Sequence, residues 1–215
     1  MNNLPKIYII HYAKLVDRRK YLENELQKYG ITNFEFITSY QRETTDVRTL
    51  NSLINCTHMT NVQKLVTFAH FDTYKKIINN SDNEAIILED DTILCDNFLE
   101  KFNAYYEQLP KDYEIAILCD AFNMHPAGIN SNQIWYRGNA CKNTSAYLIK
   151  KEFLAKKLLP VLVPFIDVID TLITKLIRRF GFIVYWCEPT LTRHGSDCKF
   201  YSQSYRYGGN GVIET

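Results

Sequence analysis

The chain has 215 residues, 46% of them of apolar type, and a formal net charge of +1. That length suffices for one domain with a sizeable core, and the near-neutral charge argues against a polyanion-binding surface, so no nucleic-acid partner is expected. Fifteen Tyr and twelve Phe are spread along the chain rather than gathered into a stacking platform, and they read as packing residues.

The six cysteines never lie closer than eleven residues apart, so no CxxC zinc pattern exists. No basic, apolar leader opens the chain, and reduced thiols in a cytoplasmic protein are the expectation. The greasiest segment, Leu158 to Ile177, is broken by two prolines, Asp167, Asp170 and Lys175, and does not read as a membrane span.

Taken in order, Lys6 to Ile10 predicts a buried first strand. Asp17 is placed as the cap of a helix that runs to about Tyr29, with Gly30 as its stop. Phe34 to Ile37 predicts a second strand, and this strand–helix–strand opening favours a parallel sheet. It lacks a GxGxxG turn, which disfavours a dinucleotide fold. Residues 40–57 read as a loop with a short helix, and Asn61 to Ile78 as a long helix. Ala85 to Leu88 is a short β-branched run suited to a central strand.

Asp96 is placed at the start of a helix packing Phe98, Leu99, Phe102 and Tyr106 and stopped by Pro110. Glu114 to Leu118 predicts another buried strand, ending at Asp120, with a loop over Phe122 to Gln133. Ile134 to Tyr136 and Ser145 to Ile149 read as strands of a smaller mixed sheet. Helices at about 150–158 and 167–180 follow, then a strand over Phe182 to Trp186. One α/β domain over residues 1–200 with an irregular tail over 201–215 is expected.

The central strand ends in three successive carboxylates, Glu89, Asp90 and Asp91. In open α/β sheets ligands bind at the carboxyl edge of the strands. Three adjacent anions repel one another unless a cation sits among them, and a divalent ion with oxygen ligands would serve. A solvated acidic turn is the plainer alternative. A haloacid-dehalogenase-type phosphotransferase also places carboxylates after a strand, but it needs an Asp where Glu89 stands.

Several patches occur in a fixed order: the Ile7–Ile10 strand, Asp17-Arg18-Arg19 opening a helix, Thr67-Phe-Ala-His70, Ile87-Leu-Glu-Asp-Asp91, Asn143-Thr-Ser-Ala-Tyr-Leu-Ile149, and Val168-Ile-Asp-Thr-Leu172. This set resembles the glycosyltransferase family that holds the lipooligosaccharide and procollagen galactosyltransferases, family 25, over about residues 5–197. The resemblance implies a GT-A-type, Rossmann-like mixed sheet flanked by helices. It also implies a UDP-sugar donor carrying galactose or glucose, Mn²⁺ or Mg²⁺, and inversion at the anomeric carbon. The acceptor would be a glycan, a lipid-linked sugar or a collagen-like peptide. The chain departs from the family at Ile10-His11-Tyr12, where members read Ile-Asn-Leu. It departs again at Leu65, Val66 and Ala69 in the helix motif, and at Asn143, where members carry Gly. A non-catalytic nucleotide-sugar or glycan-binding relative is the alternative function.

On this resemblance the metal ligands would be Asp91, Glu89 and His194, an imidazole suiting Mn²⁺ better than Mg²⁺. His194 reads equally as a surface-loop residue. Donor contacts would come from Ile9, Arg18, His70, Glu89, Asp90 and Thr144, although His70, among Phe68, Phe71 and Tyr74, also reads as a core histidine. The catalytic base must face the acceptor hydroxyl. Asp167 and Asp170 interrupt an apolar segment, where a carboxylate needs a reason to be; helix capping is one such reason. Asp170 matches the family's pattern and is the first candidate, with Asp120 second.

Overall fold

A computed structural model of the chain describes residues 4–120 and 124–196. The first apolar run forms β1 (Lys6–Ile10), in which Ile7, Tyr8, Ile9 and Ile10 are buried. α1 (Val16–Lys28) turns Leu22 and Leu26 inward, and Gly30 follows with φ +64°, a conformation that glycine adopts without strain. Asp17, expected to cap this helix, lies in its first turn instead. The cap position is Leu15, which makes no side-chain hydrogen bond. A negative charge in that turn still suits the positive end of the helix dipole.

β2 (Phe34–Ile37) returns parallel to β1, and residues Val47–Leu53 make a 3₁₀ helix. α2 (Asn61–Asn79) opens with a capping box: Gln63 N–H donates to Thr60 Oγ1 at 3.3 Å, and Thr60 N–H donates to Gln63 Oε1 at 2.9 Å. β3 (Glu84–Glu89) buries Ala85, Ile86, Ile87 and Leu88 on both faces. Then come β4 (Thr92–Leu94), α3 (Phe98–Gln108), β5 (Ile115–Ile117), β6 (Trp135–Gly138) and β7 (Ala146–Lys150). α4 (Lys151–Phe153), a π-helical turn (Leu154–Leu158) and α5 (Leu159–Leu162) run on without a break. α6 (Ile169–Phe180), β8 (Val184–Cys187) and β9 (Thr192–His194) complete the described chain.

The seven-stranded sheet has the order β2-β1-β3-β7-β5-β8-β6. β1, β2 and β3 run parallel, as do β5 and β8, while β7 runs antiparallel between β3 and β5. The result is a single domain, a mixed sheet flanked by helices. Its topology carries the function: the C-terminal ends of β1, β3 and β5 and the N-terminal end of β7 all lie on one edge. Residues following β1 and β3 therefore meet residues preceding β7, however far apart they are in sequence.

Two further expectations change, and one element is new. Ile134–Tyr136 and Ser145–Ile149 were placed in a smaller sheet, but β6 and β7 belong to the main one. The reason is β7, whose four buried residues fit only between two apolar neighbours. Asp96 does not open α3; that helix starts at Phe98 after Asn97, which adopts the left-handed conformation at φ 57°. A separate two-stranded ribbon, β4 with β9, was not foreseen, since three residues per strand leave no periodic signal.

The helix expected over 150–158 extends through α5 to Leu162. Cys56, Cys95, Cys119, Cys141 and Cys187 are free thiols, and Cys198 and the 201–215 tail lie outside the described residues. Among the described residues no helix is long and apolar enough to cross a membrane.

One contact between β6 and β8 is open to a stability test. A Cβ on Gly138 would lie 2.4 Å from Nε1 of Trp186, whose N–H donates to the Ala140 carbonyl at 2.8 Å. Gly138→Ala must displace a buried indole from its hydrogen bond, so it should destabilise the fold by about 1–3 kcal/mol. Urea denaturation of the two proteins measures this directly.

Candidate active site

Where β3 stops, its backbone turns through Asp90 and Asp91 into β4, so three consecutive carboxylates point in different directions. Each finds its own partners. Glu89 accepts at Oε1 from Thr144 Oγ1 (2.7 Å) and from His70 Nε2 (3.1 Å). Asp90 accepts at Oδ1 from Arg18 (2.8 Å), and at Oδ2 from the Tyr12 backbone N–H (3.0 Å) and His11 Nδ1 (2.9 Å). Asp91 Oδ2 lies 3.2 Å from His194 Nε2, 3.5 Å from Arg18 and 2.5 Å from the Ser196 hydroxyl that donates to it. Much of the compensating charge assigned to a metal from sequence thus comes from the protein. A carboxylate can only accept, so His11 carries its proton on Nδ1 and His70 on Nε2.

The ribbon explains how His194 arrives there. Pairing of Thr92 with His194 across β4 and β9 sets the imidazole against Asp91, and Gly195 N–H donates to the Asp91 carbonyl at 2.8 Å. Burial pushes the Asp91 carboxyl up. The hydrogen bond and charge of His194, the Ser196 hydroxyl and the Arg18 guanidinium outweigh that, holding it below the usual carboxylate range.

Glu89, Asp91 and His194 each present one ligand atom within 4.8 Å of the others. Asp91 Oδ1 is buried without a hydrogen-bond partner among the described residues. Two carboxylates, one of them with an orphaned oxygen, and an imidazole are a donor set that fits a divalent ion such as Mn²⁺.

These groups line a cleft of about 690 Å³. One side is formed by Ile10, His11, Tyr12 and Arg18 after β1, another by Asn143, Thr144 and Ser145 before β7. Leu65, Val66 and Ala69 of α2 and Val168, Ile169 and Asp170 at the start of α6 close it. His11, Leu65, Val66, Ala69 and Asn143, the positions where the chain departs from the family pattern, are all cleft residues.

The sequence-derived residues divide. Arg18, Glu89, Asp90, Asp91, Thr144, Asp170 and His194 meet in the cleft. Ile9 does not: it is fully buried in the sheet, and strand alternation gives the cleft its neighbour Ile10. His70 is buried as well and reaches Glu89 rather than the cleft space. Its Nδ1 accepts from the Tyr147 hydroxyl at 2.9 Å, which in turn meets Tyr74 at 2.8 Å. Asp120 stands outside the cleft lining at the end of β5, where it accepts the His194 backbone N–H at 3.4 Å. Asp167 is held outside the cleft by Lys175 (2.7 Å) and His58 (3.1 Å).

Among the three candidate bases, Asp170 alone lines the cleft. Burial is the main cause that raises its carboxyl above the usual range; the Glu89 charge adds to this, and the Thr171 N–H that donates to it opposes. In the sequence Asn143 and His11 stand out only as departures from the family pattern, and nothing in their spacing places them in the cleft.

The chain thus gathers carboxylates, an imidazole and a guanidinium at the carboxyl edge of a mixed seven-stranded sheet. It belongs to glycosyltransferase family 25 (LPS biosynthesis protein), whose profile matches residues 4–173. No curated protein matches the chain. Among solved structures it is distantly similar to a glycosyltransferase involved in glycosylation of the major capsid of PBCV-1, with 12% identity, 98% of this chain and 81% of that one covered, and a TM-score of 0.39. An inositol-1-phosphate CTP transferase from T. maritima gives 11% identity, 89% of both chains and a TM-score of 0.46. An active-site mutant of LgtC gives 10% identity, 85% of this chain, 67% of that one and a TM-score of 0.43.

Proposed function

We propose that this glycosyltransferase moves a hexose, galactose or glucose, from a UDP-sugar to a hydroxyl of a glycan, lipid-linked sugar or collagen-like acceptor, with inversion at the anomeric carbon. The observation that carries the reading is one cleft with the Glu89, Asp91 and His194 ligand set and, at the start of α6, a separate carboxylate, Asp170. Single displacement needs such a division: charge relief at the departing diphosphate and a proton acceptor at the attacking hydroxyl.

Asp91, Glu89 and His194 would hold Mn²⁺ or Mg²⁺, which when bound supplies Lewis-acid relief for the diphosphate. Arg18 lies against Asp90 and Asp91 and adds a fixed positive charge on the nucleotide side. His11 and the Tyr12 N–H fix Asp90, leaving the end of β1 to meet the base or ribose. His70 and Thr144 together hold Oε1 of Glu89, so the carboxylate keeps one orientation. His70 therefore acts through Glu89 and not on the donor. Asp170 takes the proton of the acceptor hydroxyl. The raised carboxyl makes it a better base than an ordinary aspartate, and turnover should rise with pH as it ionises, on a limb above the usual carboxylate range.

Retention of the carboxylates and His194 beside altered cleft walls favours changed sugar or acceptor selectivity over loss of chemistry. The test is thermal. With UDP-hexose and Mn²⁺ together at a hundred times Kd, mass action adds about 2.7 kcal/mol, roughly 5–10 °C for a chain of this length. No shift with both present, over a panel of nucleotide sugars, would overturn the reading.

A further inference from the structure

Asn143 is buried, 7% exposed, yet it lines the cleft beside Thr144 and Ser145. Its side-chain oxygen is fully engaged. The Ser145 backbone N–H reaches Oδ1 at 3.1 Å, the Ser145 hydroxyl at 2.8 Å and the Cys119 thiol at 2.8 Å. A backbone N–H can only donate, so the atom it meets is the amide oxygen and the orientation of the amide is fixed. Burial pushes the Cys119 thiol up to about 11, so it keeps its proton and donates as well.

The other end of a planar amide must point away from this cluster. Nδ2 carries two donors, and among the described residues neither meets an acceptor. A nearly buried amide with one end locked and the other open is a placed donor. Its neighbours in the chain set what it faces. Thr144 is bonded to Glu89 Oε1, and the Ser145 carbonyl accepts from the Glu89 N–H at 2.8 Å, so Asn143 stands on the Glu89 side of the cleft rather than the Arg18 side.

We infer that Asn143 is a specificity-determining residue that donates from Nδ2 to one hydroxyl oxygen of the hexose carried by the donor. The inference rests on the nucleotide-sugar reading above and goes beyond it by assigning sugar selection to this side chain. A donor fixed in this way discriminates among hexoses that differ only in the configuration of one carbon, because the wrong epimer leaves a buried polar group unmatched.

The experiment is calorimetric titration of UDP-hexose and its single-deoxy and single-deoxyfluoro sugar analogues into the wild type, Asn143→Gly and Asn143→Asp. In the wild type one deoxy analogue should bind about tenfold more weakly than the parent, the effect of one lost hydrogen bond in a desolvated site. The same analogue should lose less than about twofold in Asn143→Gly. Asn143→Asp keeps the oxygen that Ser145 and Cys119 need, so it reads out the idea even if the glycine variant fails to fold. There the deoxyfluoro analogue at that ring position, which can accept but not donate, should bind at least about tenfold more weakly than in the wild type. Equal deoxy penalties in the wild type and the glycine variant, or unchanged fluoro-analogue affinity in the aspartate variant, would overturn the assignment. If no nucleotide sugar binds the wild type, the functional reading itself fails, which is a distinguishable result.

Discussion

Asp170→Asn should lower turnover by about a hundred- to ten-thousand-fold while leaving donor affinity nearly unchanged. General-base catalysis is typically worth that much, and Asp170 is the one candidate base that lines the cleft. The substitution also makes an unusual prediction for stability. A carboxyl raised above its ordinary value favours its neutral form in the fold. Its contribution to stability is present below the unfolded pKa and lost as pH rises through the folded one, so at neutral pH the ionised group is a burden.

Asparagine imitates the neutral acid and still accepts from the Thr171 N–H. The variant should therefore melt at the same temperature as the wild type or higher while being catalytically crippled. Steady-state kinetics beside a melting curve reads both. If Asp170→Asn retains full transfer, the base lies elsewhere, and Asp120→Asn, which among the described residues perturbs the His194 backbone contact, becomes the next test.

The second large effect is expected at Asp91. From sequence alone, removing one of three adjacent carboxylates should relieve repulsion with little loss of stability. The structure reverses that expectation, because Asp91 is surrounded by His194, Arg18 and Ser196. Its carboxyl is held below the ordinary range, so its stabilising contribution is present above the unfolded pKa and lost as pH falls through the folded one. Asp91→Asn should cost about 1–3 kcal/mol at neutral pH, as expected for losing hydrogen bonds to charged groups. It should also abolish any metal-dependent gain in melting temperature. Losing the several kcal/mol of charge stabilisation that a bound divalent ion supplies would reduce transfer on the order of a thousandfold. An Asp91→Asn protein that keeps the Mn²⁺-dependent shift would remove Asp91 from the ligand set.

The fold was legible where a segment carries its own signal. Four apolar residues before Glu89 mark a buried strand, and Leu22 and Leu26 on one face mark α1. Partner choice was not legible. Nothing within Ala146–Lys150 says that it lies antiparallel between β3 and β5, since that is decided by which neighbours need covering. The same division runs through the site. The acidic end of β3, Arg18, Asp170 and His194 stood out as residue types in suggestive places. What compensates each carboxylate did not, because His11, Thr144 and Ser196 come from three distant turns. Ile9 and Ile10 differ only in which face of one strand they occupy, and both faces of β1 are apolar. Asn143 was legible only as a departure from the family pattern, for a related reason: its orientation depends on Cys119, on another strand's end.

The central claim is that this cleft cleaves a nucleotide sugar, and donor hydrolysis without acceptor measures that most directly. Incubating the protein and Mn²⁺ with a panel of nucleotide sugars, and quantifying released nucleoside diphosphate, should show slow cleavage of a UDP-hexose above background. Asp91→Asn should abolish that signal. Binding of a UDP-hexose with no diphosphate released from any donor, and no transfer to any acceptor, would contradict catalysis and leave a nucleotide-sugar-binding protein.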